Sequence, residues 1–238
     1  MAAGDYPSFL SAKRQSGEYT DFTLVCQGQE LRVHKLVVCG QSPMMAAAVR
    51  NNFAVCLPRL RHSLVPAPHE YEQEAKVETL EVNFGLAPCQ LMLDFMYTGN
   101  YALPDEPEAR PSQLLDRLQR HMEVNIIADY YGVDFLCELS ATKIREAIKA
   151  EWSADIFTVM LEIGFRQTMN LTFYQMAAEM TAVHNAELSE HSGFLQLDFP
   201  AKFTAQLVHA IPTVVGKELL RPKYSKDYTA TRFSPYQL

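Results

Sequence analysis

Residues 19–26 are Tyr-Thr-Asp-Phe-Thr-Leu-Val-Cys, and they precede a second apolar stretch, Val33-His-Lys-Leu-Val-Val-Cys. The first stretch is rich in β-branched and apolar residues and predicts a strand over 21–26. The connection Gln27-Gly28-Gln29-Glu30 is polar and contains a glycine, which favours a tight turn. Together these features predict a β-hairpin whose second strand covers residues 31–34. The apolar character then continues as far as Gly40.

Beyond the hairpin, the sequence predicts more strands and the first helices. Ser42-Pro43 predicts the start of a helix, because a serine side chain can accept from a free backbone N–H and proline fits the first helical position. The other predicted elements are strands over 77–82 and 101–104, a helix over 88–97 ended by Gly99, and a helix over 112–131 ended by Gly132.

From residue 134 onward, apolar residues recur only at helical spacing. The predicted helices cover 134–150, 153–164, 170–190 and 200–211, and Gly164, Gly193 and Pro212 are the predicted breaks between them. Strands are therefore confined to about the first hundred residues. This order predicts a mixed α/β part followed by an all-helical part.

The composition limits the class of protein. The chain has 238 residues, 48% of them hydrophobic, so it can form one or two globular domains. Its 28 acidic and 21 basic residues give a net charge of −7, which argues against broad binding to nucleic-acid phosphates. The sequence has no secretory signal at its start and no apolar run near the roughly 18 residues of a membrane span. We expect a cytoplasmic or nuclear location, or both, with no membrane or direct nucleic-acid partner.

Motifs for catalysis and metal binding are absent from the sequence. The cysteines form no Cys-x-x-Cys pair, and the seven histidines are scattered without a His-x-x-x-His spacing, so no metal site is expected. The Gly-x-Ser-x-Gly string of hydrolases and the glycine-rich phosphate loops are missing too. We expect no cofactor, no catalytic residues and no enzymatic activity. The five cysteines are expected to be reduced and mostly buried: Cys26, Cys39, Cys56, Cys89 and Cys137.

The order of several motifs resembles a known family. Asp21, His34-Lys35, Ser42-Pro43 and Phe95-Met-Tyr-Thr-Gly-Asn-Tyr occur in the order typical of BTB/POZ domains, and 121–133 is similar to the following helix in fungal members. The resemblance implies an α+β fold, in which a small mixed sheet is flanked by a helical cluster, followed by an all-helical extension. The implied division is an N-terminal tail (1–16), a BTB/POZ domain (17–140), a helical extension of the fungal type (141–212) and a basic tail (213–238).

The resemblance implies protein–protein interaction. BTB domains typically form homodimers, and many are substrate adaptors on a cullin scaffold in ubiquitin ligases, whereas others are regulatory or transcriptional scaffolds. In the family, an aspartate and a basic residue face each other in a charged pocket near the dimer interface, and Asp21 and Lys35 occupy those positions. A plain surface or turn contact for each residue is the alternative. The protein target is not indicated by the sequence.

One segment, residues 55–73, departs from the family pattern. Members usually have an apolar-x-Glu motif after the Ser-Pro helix, and that glutamate helps to engage the cullin. Here Phe53 is separated from Glu74 by irregular sequence, and removal of 55–73 restores the motif. Val55-Cys56 can be encoded by GTATGT and Gln73 by CAG, which are common fungal splice sequences. We therefore hypothesise that the segment is a translated intron or a recent insertion. Phe53 and Glu74 are the candidate cullin contacts, and their separation predicts weak or absent cullin binding.

Overall fold

A computed structural model of the chain describes residues 6–51, 79–104, 112–168 and 170–219. The mixed sheet and the helical second half confirm the predicted α+β class. In chain order the elements are α1 (Tyr6–Ser16), β1 (Phe22–Cys26), β2 (Gln29–Val33), α2 (Lys35–Gln41), α3 (Pro43–Asn51), β3 (Thr79–Val82), α4 (Leu86–Thr98), α5 (Ser112–Tyr131), α6 (Asp134–Ala150), α7 (Ala154–Gln167), α8 (Leu171–Val183), α9 (Asn185–Leu188), α10 (Ser192–Leu195) and α11 (Ala201–Leu219).

The predicted hairpin is confirmed, and its first strand, β1, is the centre of a sheet of three described strands in the order β2-β1-β3. β1 pairs antiparallel with β2 and parallel with β3, so Leu24 lies opposite Leu31 on one side and Leu80 on the other. Gln27 and Gly28 both have positive φ, which suits a two-residue hairpin turn. Alternate β1 residues are buried, so one face of the sheet points into the core.

Two segments near the sheet are not part of it. The apolar run 36–39 belongs to helix α2. Residues 101–104 form no strand, which corrects the prediction made from their sequence. Tyr101 is buried, and its hydroxyl lies 2.8 Å from Nδ1 of His121 on α5. A side-chain contact, rather than strand pairing, thus holds this segment.

The helix ends predicted at Gly99 and Gly132 are confirmed, whereas those at Gly164 and Pro212 are wrong. Gly99 and Gly132 have φ of 76° and 69° and follow α4 and α5 directly. Gly164 lies inside α7, and Pro212 lies inside α11, which continues to Leu219. In addition, the predicted helix over 170–190 is divided at residue 184 into α8 and α9.

Residues 1–16, predicted as a tail, contain helix α1. This helix packs on α4, where the guanidinium of Arg14 pairs with the carboxylate of Asp94 at 2.6 Å. The same guanidinium lies over the ring of Tyr97, 5.1 Å from its centroid. Helix α1 is therefore tied to the sheet-bearing part of the molecule.

The described residues form two hydrophobic cores that share α5 and α6. Ile127 and Tyr131 of α5 face the first core, formed with the sheet and α4. Leu118 and Met122, which come earlier in α5, face a second core formed with α6, α7, α8 and α11. The predicted boundary after residue 140 falls within α6. The C-terminal helices consequently pack directly on helices of the first part.

Candidate interaction surface

Three large apolar side chains are exposed close to the start of the sheet. Tyr19 in the α1–β1 turn is 83% exposed, Leu36 on α2 is 86% exposed and Phe9 on α1 is 57% exposed. The ammonium of Lys13 lies 5.6 Å from the Phe9 ring centroid and 5.8 Å from that of Tyr19, so the two rings are neighbours. We name this surface the α1–α2 face and include in it Asp21, which hydrogen-bonds to the start of α2.

Asp21 and Lys35 are brought together, but through the backbone of the lysine. The Asp21 carboxylate accepts a 2.7 Å hydrogen bond from the N–H of Lys35, the first residue of α2. A carboxylate at this position satisfies a free helix N–H and interacts favourably with the positive end of the helix dipole. The Lys35 ammonium instead lies 5.7 Å from the centroid of the Phe22 ring. Among the ion pairs between described residues, none joins Asp21 to Lys35.

A charged depression beside this contact includes both predicted site residues. Its lining contains the acidic side chains of Asp21 and Glu30 and the basic side chains of Arg32 and Lys35. These four side chains come from the β1–β2 hairpin and the start of α2. The depression is therefore electrically balanced.

The N-terminus of α2 is fixed by His34. The Tyr97 hydroxyl accepts a hydrogen bond from the His34 backbone N–H at 2.9 Å and lies 2.8 Å from Nδ1 of the same residue. The Glu18 carbonyl lies 3.0 Å from Nε2 and can only accept, so Nε2 carries the ring proton. In this tautomer Nδ1 accepts from the Tyr97 hydroxyl. Burial raises the pKa of the Tyr97 phenol. These bonds hold α2, α4 and the α1–β1 turn together below the α1–α2 face.

A second, apolar groove lies beside the C-terminal end of α4, where Phe95 and Gly99 contribute to its lining. We name it the Pro43 groove, because Pro43 begins α3, the helix that leads towards Phe53. Phe135, at the start of α6, is 76% exposed at this groove. Phe53, Glu74 and the insertion 55–73 lie outside the described residues. The groove lining comprises Gly40, Gln41, Pro43, Phe95, Gly99, Gly132, Val133, Asp134, Phe135 and Leu139.

The titratable residues Cys89 and His121 are buried in the protein interior. Burial raises the pKa of the Cys89 thiol to about 12, so this sulfur is a weak nucleophile. Burial, with the charges of Lys143 and Arg117 nearby, lowers the pKa of His121 to about 4. In the described ranges, no three His, Cys, Asp or Glu residues are placed to hold a metal ion. Across the same part of the chain, no helix combines the length and apolar character needed to cross a bilayer.

Comparison with known proteins identifies the family of the chain. The sequence profile of the BTB/POZ domain matches residues 10–148, which is more than half of the chain. The chain belongs to the BTB/POZ domain family. The solved BTB (Tramtrack and Bric a brac) domain of human gigaxonin is similar at 18% identity and a TM-score of 0.36, over 60% of this chain and 95% of that one. Among curated proteins, no match was found.

As a BTB/POZ domain protein, the chain carries a fold that generally mediates protein–protein interaction and not catalysis. The profile begins at residue 10, inside α1, and ends at residue 148, inside α6. The family match thus includes most of α1, the helix predicted as a tail, and part of the second core.

Sequence reasoning missed the exposed residues of this BTB/POZ domain. The residues that neighbour Phe9, Tyr19 and Leu36 in the sequence do not reveal which of these side chains are buried. In the apolar run 36–39, only the structure shows that Val38 is fully buried and that Leu36 lies on the outer side of α2. Phe135 was missed for the same reason, since it begins α6 beside the buried Leu136.

Proposed function

We propose that this protein is a non-enzymatic interaction module that forms a homodimer through its α1–α2 face. The observation that carries the proposal is the exposure of Leu36, Tyr19 and Phe9, all above one half, on adjacent elements. Exposed apolar side chains gathered on one surface of a soluble protein are typical of interaction sites. In a BTB/POZ protein, the first candidate partner for this surface is a second copy.

The charges of the α1–α2 face support pairing with an identical face. A two-fold dimer brings the same surface together from both copies, so that surface must complement itself. Lys13 and Lys35 supply positive charges on the face, and Glu18 and Asp21 supply negative ones. Apolar side chains at the centre and mixed charges around them avoid like-charge repulsion between copies.

Two differently tagged copies expressed in one cell test the dimer. Capture of one tag is expected to retain the copy with the other tag. The substitution Leu36→Asp is expected to abolish this retention, because it places one carboxylate from each copy in the dimer contact. Leu171→Asp is the matched control, since Leu171 is also exposed but lies at the start of α8, where an acidic residue suits the helix dipole. Retention of the second copy by Leu36→Asp would contradict the proposal.

Within this role, we propose a substrate adaptor that meets a cullin scaffold at the Pro43 groove and through Phe53 and Glu74. The groove supports the proposal because it is apolar, includes the exposed Phe135 and lies at the start of the helix that leads to Phe53. The protein target is proposed to bind the helical extension or the tail. A cytoplasmic or nuclear location and a fungal source are part of the same proposal.

A regulatory or transcriptional scaffold is the second candidate, and the insertion favours it. Residues 55–73 separate Phe53 from Glu74, so the chain as it stands is expected to bind a cullin weakly or not at all. Co-purification distinguishes the adaptor from the scaffold. A cullin is tested for binding to the full chain and to a variant that lacks residues 55–73. The adaptor predicts capture by the deletion variant, lost on Phe53→Ala or Glu74→Lys. A dimer that captures no cullin in either form supports the scaffold.

Sequencing of the transcript tests the origin of the insertion. If 55–73 is a translated intron, mature messenger RNA lacks these codons in part of the transcripts, and the shorter protein is the form that joins Phe53 to Glu74. Messenger RNA that uniformly contains them, together with their peptides in the purified protein, would contradict the intron proposal.

A further inference from the structure

The last described helix, α11, is apolar on two sides. Phe203 and Ala210 are buried and Leu207 is partly buried, which forms an inner stripe packed against α8. Val208 is 63% exposed and Ile211 is 44% exposed on the other side. Exposed apolar side chains that are grouped on one surface are a common mark of an interaction site. The outer side of α11 therefore has the character of a binding surface.

The exposed residues form a continuous outer face. Ala205, Val208 and Pro212 are three to four residues apart, so they follow one line along the helix, with Ile211 beside them. None of these four side chains is charged. Proline has no N–H, so Pro212 cannot donate to the carbonyl of Val208 four residues earlier. The outer face of α11 thus combines apolar surface with a carbonyl, that of Val208, that receives no bond from residue 212 four positions later.

The chain segment after α11 has the composition to cover this face. Residues 220–238 follow directly on Leu219, the last residue of α11. They contain four basic residues and one acidic residue, so their net charge is +3. Because the whole chain has a net charge of −7, residues 1–219 have a net charge of −10. The segment also contains four aromatic residues, which provide apolar surface and hydroxyl donors: Tyr224, Tyr228, Phe233 and Tyr236.

We propose that residues 220–238 bind along the outer face of α11, so that an external partner of this face must displace them. A segment of 19 residues reaches at most about 60 Å when extended, whereas α11 is about 28 Å long, so the chain can turn back along the helix. Attachment to the end of the same helix gives the segment a local concentration of the order of millimolar. This inference is independent of the dimer proposed for the α1–α2 face.

Limited trypsin digestion of the full chain tests the inference. Trypsin cuts after Lys223, Lys226 and Arg232, and binding to α11 is expected to slow these cuts. The double variant Val208→Asp/Ile211→Asp is expected to be cut within 220–238 about five-fold faster or more, because the segment is released. Leu171→Asp, an equally exposed apolar residue on α8, is expected to keep the wild-type rate. Equal rates in the double variant and the wild type would overturn the inference.

A photo-crosslinking amino acid in place of Val208 gives a second, independent measurement in an otherwise unchanged chain. The expected product is a crosslink to residues 220–238 within one chain, with the mass of a single copy. A crosslinked product of twice that mass would assign the outer face of α11 to a second copy and overturn the inference. A chain without any crosslink to 220–238 would overturn it as well.

Discussion

Gly164 occupies the middle of α7 because the neighbouring helix leaves no room for a side chain. A Cβ at this position would lie 2.3 Å from Cζ of Phe173, whose ring is fully buried. We predict that Gly164→Ala lowers the free energy of unfolding by about 2 kcal/mol, because the ring must move within a packed core. Urea unfolding followed by far-UV circular dichroism measures the change.

Gly40 provides the matched control for that substitution. It also lies in a helix, but a Cβ there would meet no atom within 4 Å. Gly40→Ala is expected to leave the protein as stable as the wild type or slightly more stable, because alanine favours the helix. Equal unfolding midpoints for the Gly164 and Gly40 variants would show that the contact with Phe173 is not a constraint.

His121 makes the stability of the protein depend on pH. Its pKa is about 4 in the folded state, mainly because of burial, against 6.5 for an exposed histidine. Between these two values the unfolded chain binds the proton more readily, so the free energy of unfolding falls as pH drops from 6.5 to 4, by about 3 kcal/mol. Above pH 6.5 this residue contributes no pH dependence.

His121→Asn isolates this effect from the titration of the carboxylates. Asparagine retains an acceptor near the position of Nδ1, which faces the hydroxyl of Tyr101. Unfolding free energies measured at several pH values are expected to fall less steeply for the variant between pH 6.5 and 4. Parallel curves for the two proteins would contradict the assignment.

For Asp21 and Lys35, the sequence indicated the contact between the two residues but not the groups that form it. Their positions in the sequence indicated a contact, and the structure brings the two residues together. Side-chain charges suggested an ion pair, whereas the carboxylate bonds to the lysine N–H at the start of α2. That bond depends on the direction in which α2 leaves the hairpin, and local sequence does not determine this direction.

At the scale of elements, short-range signals predicted most of the strands and several helix ends. The hairpin and the ends at Gly99 and Gly132 depend on a few adjacent residues, so they were predictable. Gly164 and Pro212 gave the same local signals, yet both helices continue through them. For Gly164 the cause is the contact with Phe173, an interaction between helices that the sequence of α7 does not contain.

Helix α5 is expected to couple the two cores. Ile127 lies in the first core and Leu118 in the second, and both belong to the same continuous helix. We predict that Ile127→Ala lowers the free energy of unfolding by about 3 kcal/mol and that the second core unfolds with the first. Urea unfolding measured both by Trp152 fluorescence and by far-UV circular dichroism tests this.

Trp152 is a suitable reporter because it is the only tryptophan and belongs to the second core. Its indole stacks on His184 with ring centroids 3.5 Å apart and donates to the Glu187 carboxylate at 2.7 Å. In Ile127→Ala both signals are expected to shift together, whereas Val183→Ala at an exposed site leaves them unchanged. A fluorescence transition that stays in place while the dichroism moves would show that the cores unfold separately.

At the scale of the whole molecule, the sequence predicted the family and the α+β class but not the interaction surfaces. Four motifs in the right order were enough for the family, because they are read directly from the chain. The α1–α2 face arises only when α1, the β1 turn and α2 come together, and residues 1–16 gave no strong helix signal. Leu36 has the same residue type as core leucines, so its exposure could not be distinguished from the sequence.

Sedimentation equilibrium at micromolar concentration tests the proposed homodimer most directly. The wild-type chain is expected to sediment with twice its mass of 27.0 kDa, because the apolar surface of the α1–α2 face is buried between two copies. Leu36→Asp is expected to sediment as a folded monomer, and Leu171→Asp as a dimer. A wild-type protein that is monomeric at these concentrations, or a Leu36→Asp variant that remains dimeric, would contradict the account.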